Sequence, residues 1–178
     1  MTTEAHDLRY PIGKQPSAPA TTTADERNDA IGAIAEMPEQ LREALRGLDD
    51  EQLNTPYRPD GWTVRQLVHH IADSHMTAFH RLCRALTEDW PEIHGYNEKA
   101  FADLADKAAP AEWSVDILEG THARWAMLLE SLTDEQWKLG YRHSERGPQT
   151  LEQALILYAW HSKHHVAHIT SLRLRENW

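Results

Sequence analysis

One string of residues occurs twice in this chain, and it constrains the fold more than any other feature. The first copy reads Leu48-Asp-Asp-Glu-Gln-Leu53, then Tyr57-Arg58, then Thr63-Val-Arg-Gln66. The second reads Leu132-Thr-Asp-Glu-Gln-Trp137, then Tyr141-Arg142, then Thr150-Leu-Glu-Gln153. The offset is 84 positions at Leu48/Leu132 and 87 at Thr63/Thr150, so the second loop holds a three-residue insertion. Each copy ends on Thr-x-x-Gln, the spacing of a capping box, in which two backbone donors at a helix start are satisfied reciprocally. Each is followed by apolar residues at helical spacing. After the first copy these are Val64, Leu67, Val68, Ile71, Ala78, Leu82 and Leu86; after the second they are Leu151, Ala154, Leu155, Tyr158 and Ile169. The repetition implies two related helix hairpins about a pseudo-twofold axis. A chance likeness of two acidic turns is the competing reading.

Four helices are therefore expected. The first spans about Asp25 to Leu48, with Asp25 as N-cap and Pro38 kinking or dividing it. The second spans Thr63 to Thr87, the third Ser114 to Leu132 and the fourth Thr150 to Arg173. No stretch shows convincing strand alternation. Residues 88–113 join the hairpins and carry Pro91, Gly95 and Pro110, with a short helix expected near Asn97 to Leu104. A connection of that length can run the length of a bundle, which gives an all-α, up-down-down-up four-helix bundle. Residues 1–24 read as an irregular N-terminal arm, because Pro16-Ser-Ala-Pro-Ala-Thr-Thr-Thr23 cannot sustain a helix, and residues 25–178 read as the bundle.

Composition excludes several classes. The formal net charge of −10 argues against nucleic acid and anionic membrane surfaces, both of which need basic patches. One cysteine, Cys83, permits no internal disulfide. The N-terminus has no basic and apolar leader pattern, and no run approaches the length of a membrane span. A cytoplasmic protein is expected.

The chain holds 12 histidines, and their placement is informative. The fourth helix contains Trp160-His-Ser-Lys-His-His-Val-Ala-His168. His164 and His168 lie one turn apart on one face, so both imidazoles can address one ion. His161 and His165 form a second pair with the same spacing, and periodicity does not reject it. The second helix offers Val68-His-His-Ile-Ala-Asp-Ser-His75. At ~100° per residue, His70 lies beside its helix's apolar stripe, on the same side as His164 and His168 lie beside theirs. His75 falls within the stripe and reads as a core histidine with a hydrogen-bond partner, or as a group supporting a ligand. His122 reads similarly. Carboxylate-bridged di-iron fits poorly, since only one Glu-x-x-His motif, Glu119-Gly-Thr-His122, is present.

Asn54-Thr-Pro-Tyr-Arg58, Gly61-Trp-Thr-Val-Arg-Gln66, Val68-His-His70, Ala72-Asp-Ser-His75 and the histidine-rich run 160–170 resemble the YfiT-type branch of the DinB-like superfamily, as do Leu8-Arg-Tyr-Pro-Ile-Gly13 and His122-Ala-Arg-Trp125. The resemblance implies an up-down-down-up bundle with a three-histidine metal site, its ligands falling on His70, His164 and His168. It implies a metal-dependent hydrolase, or a relative of thiol S-transferases that use bacillithiol or mycothiol. The expected cofactor is one divalent ion per chain, zinc ahead of nickel or another first-row metal. Three neutral imidazoles leave the ion's charge intact and one position open.

The expected activity is transfer of a low-molecular-weight thiol to a small electrophile through a metal-held thiolate. The alternatives are hydrolysis through a metal-held hydroxide, and a non-catalytic, metal-stabilised binding module whose site a fourth ligand such as His161 or His75 would close. Trp62 and Trp160 are expected near the cleft. Asp73 could accept from a ligand imidazole. Arg58, Arg65 and Lys163 are candidate anchors for a substrate carboxylate, and Cys83 reads as inert. The arm, with Tyr10-Pro-Ile-Gly13, is expected to dock on the bundle or on a second subunit of a homodimer.

Overall fold

The computed structural model describes residues 7–17 and 21–178. The expectations for the extreme N-terminus and for residues 18–20 of the arm lie outside these. The elements are α1 (Ala24–Leu45), α2 (Asp50–Leu53), α3 (Val64–Thr87), β1 (Glu92–Ile93), α4 (Glu98–Ala102), α5 (Ala111–Glu130), β2 (Gly140–His143), β3 (Gly147–Thr150) and α6 (Leu151–Glu176).

Four long helices, α1, α3, α5 and α6, form the bundle, and their directions follow from contacts at their ends. Near the starts of α1 and α6, Arg27 pairs with Glu152; at the far end Arg173 of α6 donates to the Ala44 and Arg46 carbonyls. These two helices are therefore parallel. Arg42, late in α1, meets Asp116 and Glu119, early in α5, so that pair is antiparallel. At the start of α3, Arg65 reaches the Ala109 carbonyl and His69 reaches Ser114, which makes α3 and α5 parallel. The order is up-down-down-up, as the long 88–110 connection requires. Each of α1 and α3 packs on both α5 and α6, so α1 and α3 stand on one diagonal.

The repeated string becomes repeated structure. Thr63 and Thr150 each cap a long helix through a complete capping box with Gln66 and Gln153. In the first copy Pro56 and Thr63 form one antiparallel bridge. In the second copy the three extra residues extend that bridge into a ladder from Gly140↔Thr150 to His143↔Gly147, and β1 adds to β2 in parallel. These strands are two to four residues long, too short to show alternation in sequence, and the expectation of no strands is corrected accordingly. A side chain at Gly140 would collide with the Gln149 carbonyl oxygen, so the hairpin needs glycine there.

Two boundaries also change. The N-cap of α1 is Thr23 rather than Asp25, because Thr23 and Glu26 complete a reciprocal capping box. Pro38 is buried inside α1 and does not divide it. The turn before Pro38 is rich in alanine and the turns after it are Glu39-Gln-Leu-Arg-Glu-Ala-Leu45, so the helix has enough good formers on both sides to carry one missing donor.

The core has two apolar clusters, one around Ile34, Leu82, Leu129 and Leu155, the other around Met37, Leu67, Leu118 and Ile169. Between them each of α3, α5 and α6 contributes histidine: His75, His122, and the run from His161 to His168. The site is this polar layer through the middle of the bundle.

Candidate metal centre

His70, in the second turn of α3, converges with His161 and His165 of α6, one ring nitrogen from each lying within 4.8 Å of the others. A second group of three, His164, His165 and His168, lies along α6 itself. The three expected ligands are divided between these adjoining groups, His70 in the first and His164 and His168 in the second, and His165 belongs to both. The i,i+4 pair that faces His70 is His161/His165. His164 and His168 lie beside the arm, and each keeps a buried Nδ1 with no hydrogen-bond partner among the described residues. The His168 Nε2 lies 3.3 Å from the Arg9 carbonyl, the Tyr10 ring is 6.2 Å from that of His164, and the Tyr57 ring is 4.2 Å from that of His168.

A hydrogen-bonded chain fixes which nitrogen of His161 carries the proton. The Ile34 carbonyl can only accept, so His122 Nδ1, which contacts it, carries the proton. Burial lowers the pKa of His122, so its Nε2 is an acceptor. His75 Nδ1, 2.8 Å away, must then donate, and His75 Nε2 must accept from His161 Nδ1 at 2.9 Å. Burial, reinforced by the neighbouring imidazoles, holds His75 and His161 well below the ordinary histidine value. His161 Nε2 is left as an acceptor, and its partner in the structure is His165 Nε2 at 3.1 Å. Two nitrogens on one tetrahedral ion at about 2.0–2.1 Å would stand roughly 3.3–3.4 Å apart. Burial pushes His70 down to about 4, helped by the Lys107 charge, and takes His165 well below its usual range. The donor set is thus neutral and converging, and it fits a divalent ion.

The remaining expected residues are placed as follows. Trp62 packs on His70 at 4.5 Å, and Trp160 stacks on His164 at 4.2 Å. Asp73 pairs with Lys107 at 2.8 Å instead of holding a ligand imidazole. His69, neighbour of His70, is held by Ser114 and the Ala109 carbonyl. Arg65 pairs with Asp50, Arg58 donates to the Pro59 carbonyl, and Lys163 is exposed. None of these three lines the cleft whose wall includes His161. Arg81 and Arg146 do line it, together with Tyr96, Tyr141 and Tyr158. Arg81 was legible in one respect: at three and four residues from Ala78 and Ala85 it falls on a buried stripe.

Removing the middle of the hydrogen-bonded chain tests its role. His75→Phe should fold, since the site is apolar on its Trp125 and Tyr158 sides, but it leaves His161 Nδ1 without an acceptor. Metal affinity should fall about tenfold to hundredfold, the range for groups that orient a ligand, as read by competition with a chromophoric chelator. Unchanged affinity would mean that the chain does not orient His161.

Fold and site together define a four-helix bundle with a histidine centre suited to a divalent ion. Residues 33–169 match the DinB superfamily, and the chain belongs to it. It is 47% identical over 173 residues to a Bacillus cereus protein named "Putative metal-dependent hydrolase", covering 97% of this chain and 99% of that one. It is 46% identical over 175 residues to "Putative metal-dependent hydrolase YfiT" of Bacillus subtilis, covering 97% of each. The solved structure of Bacillus subtilis YfiT, described as having an unusual four-helix bundle topology, superposes with a TM-score of 0.93 at 44% identity, covering 96% of this chain and 98% of that one. No helix among the described residues is long and apolar enough to cross a membrane.

Proposed function

We propose that this protein is a metal-dependent enzyme whose divalent ion, zinc first among candidates, is held by His70, His161 and His165 and activates a nucleophile against a small electrophilic molecule. The observation that carries this is the hydrogen-bonded chain from the Ile34 carbonyl, which delivers the His161 Nε2 lone pair toward His165. The names of the relatives support metal dependence. When bound, the ion supplies Lewis acidity, lowering the pKa of a thiol or water that reaches it.

The chain's own residues hold and orient. His75 and His122 fix the His161 tautomer, and Trp62 packs on His70. His75 spends both nitrogens in hydrogen bonds and is not available to close the site as a fourth ligand, which speaks against a purely structural metal. Between His161 and His165 stand Ser162, Lys163 and His164, so no glutamate base is built into that turn. Cys83 is not among the cleft residues, which leaves the protein without an evident nucleophile of its own. A thiol needs less help than water to ionise, since it starts near pKa ~8.5. We therefore favour transfer of a low-molecular-weight thiol of the bacillithiol kind, with hydrolysis, the activity in the relatives' names, as the second reading. A homodimer in the cytoplasm completes the proposal.

The test is consumption of an alkyl halide or epoxide. Enzyme and thiol together should outpace thiol alone, chelation should abolish the gain, and added zinc should restore it. Thiol-independent, metal-dependent release of product from an ester or amide would establish hydrolysis instead.

A further inference from the structure

Three basic side chains are buried among the described residues: Arg65, Arg81 and Lys107. Arg65 pairs with Asp50, and Lys107 with Asp73 and Asp106. Among the described residues Arg81 has no carboxylate within ion-pair distance. It is only 8% exposed, its Nη2 donates to the His94 carbonyl at 3.3 Å, and its buried Nε has no partner. A guanidinium stays protonated throughout the physiological range, and a buried charge without a counter-ion is costly. Its surroundings are those of a binding site. Arg81 lines the same cleft as His161, three helical turns beyond His70 on α3. The hydroxyl of Tyr96, buried and without a well-formed hydrogen bond, lines it too. A second cation, Arg146, stands at the mouth on the β2–β3 turn, also with no carboxylate partner within ion-pair distance among the described residues. Glu98 and Glu145 also line the cleft, and the charges of Arg146 and Arg81 act on the partly desolvated Glu98 carboxyl, but neither carboxylate comes within ion-pair distance of either arginine.

We infer that this cleft contains an oxyanion subsite, anchored by Arg81 and assisted by Arg146, that receives a carboxylate or phosphate group of the substrate. The planar fork of a guanidinium matches either group through paired hydrogen bonds. The inference rests on the proposed metal reading only in taking His161 as the reacting end of the cleft; the subsite itself stands on the unpaired arginine.

The probes are acetate, inorganic phosphate and neutral acetamide, titrated calorimetrically into both metal-loaded and chelated protein. One or both anions should bind more tightly than acetamide in either state, and the stronger of the two identifies the group. Arg81→Gln should weaken that binding roughly tenfold to hundredfold, the range for a lost charged hydrogen bond, and Arg81→Lys by less. Arg146→Gln, at an exposed position, should fold normally and weaken binding about threefold to tenfold, which keeps the test open if Arg81→Gln does not fold. Anion binding that needs metal and ignores both arginines would place the anion on the ion, overturning the subsite and leaving the metal site intact. Anion binding that depends on Arg81 in a protein that takes up no metal would uphold the subsite and remove the metal reading. Binding no tighter than that of acetamide in the chelated protein overturns the subsite.

Discussion

Replacing His161 with alanine is expected to strip the protein of metal at neutral pH, whereas replacing His164 leaves one ion per chain. The two residues are three apart on α6 and equally histidine-rich in their surroundings, so the contrast isolates geometry from composition. His161 and His165 face His70 across the bundle, while His164 and His168 sit under the N-terminal arm. Loss of a ligand should cost more than the about hundredfold ceiling for groups that only orient one. His70→Ala and His165→Ala should behave like His161→Ala, measured by elemental analysis after gel filtration. His164→Ala should instead loosen the arm, read as faster proteolysis before residue 24. If the His164 variant loses its metal and the His161 variant keeps it, the ligand pair is the other one.

Acid should unfold the chelated protein over an unusually mild window. His70, His164 and His168 are each pushed down to about 4, in every case chiefly by burial, and His75, His161 and His165 lie well below their usual range for the same reason. In the unfolded chain these groups protonate near pH ~6.5. Between that value and about 4 the unfolded state binds more protons than the folded one, so stability falls as pH falls. The shift of His70, the most deeply buried of the three, is worth about 3 kcal/mol at its limit, at about 1.4 kcal/mol per unit, and those of His164 and His168 less. Several together rival the whole stability of a domain, about 5–15 kcal/mol. Circular dichroism of the chelated protein should therefore show cooperative unfolding between pH ~6.5 and ~4. The zinc-loaded protein should resist to lower pH, because bound ligands take up protons only as metal leaves. A flat melting temperature across that window would show that the histidine layer is solvated.

Much of the fold could be read in the sequence because its signals are local. Thr63/Gln66 and Thr150/Gln153 mark two helix starts through backbone chemistry that needs no tertiary context, and both boxes form. Thr23 and Asp25 are both good caps by residue type; the Glu26 carboxylate, reaching back to the Thr23 N–H at 2.7 Å, decides between them. The three-stranded sheet was not legible, since its pairing of residues 92–93 with 142–143 is non-local and too short for a pattern. The choice between the two histidine pairs of α6 is a matter of register. His161/His165 and His164/His168 share a spacing, and a rotation of about 60° separates them, less than the width of an apolar stripe. What distinguishes them is the partner each finds across the bundle, His75 for one pair and the Arg9 carbonyl for the other.

Anomalous diffraction at the zinc edge from crystals of the zinc-loaded protein tests the central claim most directly. One strong peak per chain is expected, about 2.0–2.1 Å from a nitrogen of each of His70, His161 and His165, with no fourth protein ligand. A peak among His164, His165 and His168, or a site closed by a fourth side chain, would contradict the account.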